Sequence, residues 1–310
     1  MDLRWAFLVI SCGLVGSSAA CGASSSTGVG EAEGDSSSSE THHPLDLGTP
    51  TAYPLFDAHL HSLPSWPEGR VETVAQEGEF LAVAVLGPAF EGDWQSTAPD
   101  QVFAFAFLSE LDQASVDAVA GNLAAGARGV GEVSISHVET STQGVVDRAG
   151  DDPLLVQVWQ LAADYGVPVN VHCEGADVLE LAAALDSSPE TIFIWAHMGD
   201  TDAATVRSML EAYPDRLYAD LACRNPHYIR PPHSAEEQAL TDGDGVLKPG
   251  WVELFEDYPT RLLWGTDIGP PGRYEQLEQT LDYAQSIFAQ LEPSTAEAIA
   301  HSNAEALFGL

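Results

Sequence analysis

Basic residues are scarce in this 310-residue chain: 11 Lys and Arg stand against 47 Asp and Glu, for a formal net charge of −36. Such a surface repels phosphate backbones and anionic headgroups, which argues against nucleic acid as substrate or partner and against electrostatic docking to a membrane. Cysteine is as sparse, at four residues. Cys12 and Cys21 lie near the N-terminus, and the remaining pair, Cys173 and Cys223, cannot staple a domain of this size, so both are expected to be free and buried. No apolar run reaches the roughly 20 residues that a membrane-spanning helix needs, and no internal repeat is visible.

What is present begins with Arg4 and a short apolar run, "WAFLVISCGLVG", followed by the small residues "GSSAAC". This reads as a secretory signal over residues 1–20. Its end resembles the lipobox of bacterial lipoproteins, which implies lipidation of Cys21 and export to a bacterial membrane, the outer membrane first of all, on its periplasmic or cell-surface face. The lipid would be the only membrane attachment. Residues 21–52 carry that cysteine and then a Ser/Gly/Glu-rich stretch with almost nothing to bury, expected to be a disordered tether in which His42 and His43 are solvated. One domain, residues 53–310, remains.

In that domain, eight short apolar or β-branched runs recur: "PLFDAHLH", "FLAVAVLG", "VFAFAFLS", "ARGVGEVSI", "VPVNVHC", "TIFIWAH", "RLYADLAC" and "RLLWGTDI". Amphipathic stretches such as "DPLLVQVWQLAADYG" lie between several of them. Near-continuous apolar strands alternating with helices predict a parallel sheet buried on both faces. Eight units predict an α/β fold of the (β/α)₈ barrel type, with an open doubly wound sheet as the alternative. Residues 88–101 leave too little room for a full helix, so one unit is expected to be degenerate.

In such barrels the strand C-termini hold the active site. The runs place His59 and His61 at the end of strand one, Glu132 on strand four, His172 at the end of strand five, His197 at the end of strand six and Asp267 at the end of strand eight. Singly, each has an innocent reading as a satisfied core histidine, a strand-end carboxylate or a helix cap. Jointly they form a candidate metal site: alternation puts His59 and His61 on one face, and imidazole with carboxylate suits Zn²⁺ foremost, or Mn²⁺, Fe²⁺ or Co²⁺.

These motifs, "FDAHLH", "VNVHCEG", "FIWAHMGD", "LLWGTDIG" and the closing "HSNAEALFGL", resemble the amidohydrolase superfamily and, within it, the amidohydrolase-2 family, over residues 53–310. The resemblance implies that His59, His61, His172 and Asp267 bind one metal. It also implies that Asp267 is the general base toward metal-activated water, and that His197 binds a second metal or holds and polarises the substrate. "ARGVGEVSI" is similar to a segment of TatD-like hydrolases whose Glu helps hold two metals, which leaves one or two ions open and turns on Glu132. The implied activity is hydrolysis of a small ester, lactone, amide or phosphoester. A decarboxylase or lyase of small aromatic acids is the alternative, and an inactive ligand-binding lipoprotein the third.

The longest loop, residues 224–250, gathers Arg224, His227, Tyr228, Arg230 and His233 in an otherwise acidic chain. Arg224, His227, Tyr228 and Arg230, with Arg128 on strand four, are the candidate substrate-binding residues; an arginine there suits a carboxylate or phosphate. Ion pairing of the loop to its acidic surroundings is the competing reading. His137 and His301 read as structural, and oligomeric state is left open.

Overall fold

The computed structural model describes residues 52–63, 69–87, 100–138, 144–229, 233–269 and 271–310. Each of the eight apolar runs contains a strand: β1 Phe56–His61, β2 Ala82–Leu86, β3 Val102–Ala104, β4 Val130–Ser134, β5 Val169–His172, β6 Phe193–Trp195, β7 Leu217–Asp220 and β8 Leu262–Leu263. All pair in parallel, as β1-β2-β3 and as β4-β5-β6-β7-β8. A bridge between Ala106 and Val130 joins the two sheets at one seam. At the other, Leu60 bridges to Ile268, Ala58 N–H donates to Trp264 O at 3.0 Å, and His61 N–H donates to Ile268 O at 2.9 Å. The ring therefore closes on itself. The expected degenerate unit, residues 88–101, falls almost wholly outside the described residues.

The helices between strands include α1 Arg70–Glu77, α2 Gln113–Ala124, α3 Pro153–Tyr165, α4 Val178–Ser187, α5 Ala203–Ala212, α6 Pro249–Asp257 and α7 Leu277–Phe288. Three begin on an aspartate whose carboxylate accepts a first-turn N–H: Asp112 from Ser115, Asp152 from Leu154 and Asp202 from Thr205, each at 2.8 Å. Their apolar stripes, such as Leu155, Val158, Trp159 and Ala162 on α3, pack against the outside of the barrel.

A separate apolar cluster gathers alternate residues of the strands, Phe56, Ala58, Ala82, Ala84, Leu86, Phe103, Phe105, Ile194 and Leu263, with Ala304 and Phe308 of the closing helix α8, Asn303–Phe308. Phe308 stacks on Phe56 with ring centroids 5.4 Å apart and meets Phe103 at 5.5 Å. Because Phe56 opens β1, this helix closes the barrel at the N-terminal ends of its strands. Asn303 Nδ2 fixes the helix to the barrel by donating to Pro259 O and Leu262 O at 2.7 and 2.8 Å. Chemistry is left to the opposite end.

A short antiparallel hairpin, Ser136–His137 with Val146–Asp147, extends β4 beyond the barrel. No alternating pattern announced it.

Candidate metal centre

The phase of β1 changes midway. Phe56 and Ala58 belong to the interior cluster and Leu60 to the outer one, with a register shift between Asp57 and Leu60. That irregularity lets His59 and His61 both turn toward the top of the barrel, their Nε2 atoms 3.2 Å apart. The neighbouring strand end comes close: a Cβ at Gly265 would lie 2.8 Å from His59 Cβ, so only glycine fits there.

Asp57 ties β1 to the β8 loop. Fully buried, it accepts from Thr266 N–H at 2.9 Å, from the Thr266 hydroxyl at 2.6 Å and from His59 N–H at 3.0 Å. Burial pushes its carboxyl up to about 6, against the pull of these hydrogen bonds. The register between His59 and Asp267 is thereby fixed.

Four imidazoles and two carboxylates meet above this point. His61 Nε2 lies 3.1 Å from Asp267 Oδ1 and 3.4 Å from Glu132 Oε2. His172 Nδ1 is 2.8 Å from Glu132 Oε1, and His197 Nε2 is 3.4 Å from the same oxygen. Two donor sets at this point are His59 with His61 and Asp267, and Glu132 with His172 and His197, each with ligand atoms within 4.8 Å of one another. Glu132 touches histidines of both.

The ring nitrogens facing away from the centre are committed. His59 Nδ1 donates to Asp220 Oδ2 at 2.9 Å and His197 Nδ1 donates to Ala222 O at 3.0 Å, which leaves both Nε2 atoms turned inward. His172 uses Nδ1 toward the centre, and its Nε2 lies 3.3 Å from Glu174 Oε1. Asp220 also accepts from Asn170 Nδ2, His197 N–H and Ala222 N–H at 3.1, 2.8 and 3.1 Å.

Burial disfavours every charge here, yet mutual pairing overrides it. Burial raises Asp267, but the Arg273 guanidinium and His61 hold it well below the ordinary carboxylate range; Glu132 is likewise raised by burial and pulled well down by His172. Burial lowers His61, and Asp267 and Glu132 outweigh it to bring the imidazole up to about 10. His59 rises too, burial being outweighed by Asp220. A divalent metal fits: the donors are all of the types it takes, and they converge around two buried carboxylates.

His197 and Asp267 sit at φ +56° and +54°, a left-handed conformation that costs about 1–3 kcal/mol for a non-glycine residue and clusters at functional sites. Arg224 holds the first of these turns. It is 2 % exposed, and its guanidinium donates to Gln238 O, His197 O and Thr201 O at 2.9, 3.2 and 3.0 Å while lying over the Trp251 ring. Arg224, expected to face substrate, is instead buried and bonded to backbone.

Arg128 is placed at the other end of the barrel, donating through Nη2 to Phe308 O at 2.5 Å. His227 is exposed with its ring edge-on to Tyr283, and Tyr228 is half-buried at the mouth. Arg230 and Cys21 lie outside the described residues. His137, expected to be structural, lies tilted against His172 with ring centroids 4.4 Å apart.

The cation that does reach the centre is Arg273, six residues after Asp267. It pairs with Asp267 Oδ2, donates to Asp267 O at 2.6 Å, and places its guanidinium 4.2 Å from the Tyr228 ring centroid. Asp57, Glu174, Asp220 and Arg273 were all missed as site residues. For Asp220 a signal existed: a carboxylate inside the apolar run "RLYADLAC".

Residues 90–310 match the family model Amidohydro_2, described as Amidohydrolase. No curated protein matches the chain in sequence. Among solved structures, the fold is similar to a putative 2-pyrone-4,6-dicarboxylic acid hydrolase from Pseudomonas putida, at 18% identity and TM-score 0.58 over 83% of this chain and 98% of that one. It is similar to dihydroorotase from Campylobacter jejuni, at 14% identity and TM-score 0.58 over 84% of each chain. It is similar also to 2,6-dihydroxybenzoate decarboxylase from Rhizobium, at 14% identity and TM-score 0.53 over 83% of this chain and 98% of that one. At such identities these structures speak for the barrel fold alone.

Proposed function

The chain belongs to the amidohydrolase family, and we propose that it is a metal-dependent hydrolase of a small molecule. The observation that carries this reading is the convergence of His59, His61, Glu132, His172, His197 and Asp267 at one end of the barrel, with the outward nitrogens of His59 and His197 committed elsewhere. His59, His61 and Asp267 would hold one divalent ion, zinc first among the candidates, and Glu132, His172 and His197 a second. When bound, the metal lowers the pKa of water toward neutrality and polarises the substrate as a Lewis acid. Asp267 accepts the proton from the attacking water at a carboxylate oxygen and returns it to the leaving group. Arg273, pressed on Asp267 Oδ2, keeps that carboxylate ionised beforehand.

The test is a screen of lactones, esters, amides and phosphoesters against the metal-loaded chain, with Asp267→Asn as control. Turnover should vanish in that variant while circular dichroism stays unchanged. Undiminished turnover would refute Asp267 as base. Small aromatic acids belong in the same screen, because Arg273 and Tyr228 beside Asp267 suit a carboxylate-bearing ring. Release of CO₂ from such an acid would favour the decarboxylase reading.

We further propose that the chain is exported and anchored to a bacterial membrane through lipid on Cys21, in support of which stand the apolar N-terminal run and the tether that follows. Among the described residues no helix is long and apolar enough to cross a membrane. Palmitate labelling lost in Cys21→Ser supports the anchor, and a Cys21→Ser chain that still partitions to membranes removes it. The net charge of −36 supports a small-molecule substrate over nucleic acid.

A further inference from the structure

One buried sulfur stands beside the centre without a part in either donor set. Cys223, just past β7, places Sγ 2.9 Å from Asp267 Oδ2. With His197 and Asp267 it forms a further set of buried ligand atoms, all within 4.8 Å of one another. The three residues also share a left-handed backbone, at φ +56°, +60° and +54°, so three strand ends are bent to bring these side chains together.

We propose that Cys223 is a ligand of the metal held by Asp267, which makes the centre a mixed imidazole, carboxylate and thiolate site. The inference rests on the metal-dependent reading above. On binding, the thiol proton leaves to solvent and the sulfur donates an electron pair to the ion; nothing is oxidised. Zn–S bonds near 2.3 Å and Zn–O bonds of about 2.0–2.2 Å put adjacent donors of one ion roughly 3 to 3.6 Å apart, so the two atoms, now 2.9 Å apart, need to separate by only a few tenths of an ångström to share an ion. A thiolate shifts selectivity toward zinc, cobalt and cadmium and away from magnesium and manganese. Cys173 provides the control: its thiol is buried as well, but its Sγ contacts Asp177 O at 3.4 Å, and it belongs to no donor set among the described residues.

The experiment strips the full chain with a chelator, reloads it with Co²⁺ and records both bound cobalt and the near-ultraviolet absorption of sulfur-to-cobalt charge transfer. The wild type and Cys173→Ser should show the band, and Cys223→Ser and Cys223→Ala should lose it while retaining cobalt and native circular dichroism. Cobalt bound without the band in the wild type overturns the thiolate ligand and leaves the metal reading standing. A band that persists in both Cys223 variants also overturns it. No bound cobalt at all overturns both.

Discussion

Replacing Asp220 separates its two tasks. Asp220→Ala would strand four buried donors, His59 Nδ1, Asn170 Nδ2, His197 N–H and Ala222 N–H. At about 1–3 kcal/mol each, the loss is on the order of the whole stability of a domain, so this variant should not accumulate folded. Asp220→Asn is the informative change. The amide keeps the shape, and its oxygen in the Oδ1 position still accepts from His197 and Ala222. Its NH₂ then faces Asn170 and His59. Asn170 can turn its own amide over, since its Oδ1 has no partner. His59 has no such freedom: Nδ1 must now accept, the ring proton moves to Nε2, and Nε2 is the atom aimed at the centre. Loss of a partner that orients a ligating histidine lowers metal affinity by roughly 10- to 100-fold, equivalent to about 1.4–2.7 kcal/mol. Competition with a chromogenic chelator measures it on the chelator-stripped, zinc-reloaded chain. Zinc affinity within twofold of wild type, with the fold intact, would refute the claim that Asp220 sets the state of His59.

Further outcomes follow from the same geometry. Glu132→Gln should reduce bound zinc from two equivalents to one by elemental analysis, and two equivalents retained would remove Glu132 from the centre. Phe308→Ala, at a site 4 % exposed and packed on Phe56 and Phe103, should destabilise the domain by about 3–5 kcal/mol in denaturant unfolding; a change below 1 kcal/mol would contradict its role as the plug. Asp57 titrates near 6 when folded against 3.8 unfolded, so the folded state holds the extra proton between those values. Stability of the chelated chain should therefore fall as pH rises through that window, by roughly 3 kcal/mol from this group, and Asp57→Asn should remove that slope. Identical slopes in the two proteins would show that burial does not raise Asp57.

Much of the barrel was legible because parallel strands buried on both faces read as near-continuous apolar runs, and each of the eight runs contains a strand. The convergent histidines and Asp267 were legible because they end those runs. Asp220 showed only as a carboxylate inside an apolar run, and its role did not: its partners come from β1, β5 and the ends of β6 and β7, and only the closed ring brings them together. The places of Arg224 and Arg273 were hidden for a related reason. Arg224 follows β7 at the mouth, where an arginine in an acidic chain suggests an anion, but the left-handed turn at His197 leaves backbone carbonyls buried beneath it, and these take the guanidinium. Arg273 follows a Pro-Pro-Gly stretch without periodicity, and only the short helix Pro271–Tyr274 turns it back onto Asp267.

The most direct test is the metal content of the purified chain after chelation, reloading with zinc and exhaustive dialysis, compared with a His59→Ala/His61→Ala variant of native circular dichroism. At least one tightly held equivalent in the wild type, reduced in the variant, is the expected result. No retained metal in the wild type, or the same amount in both, would contradict a metal centre at the top of this barrel.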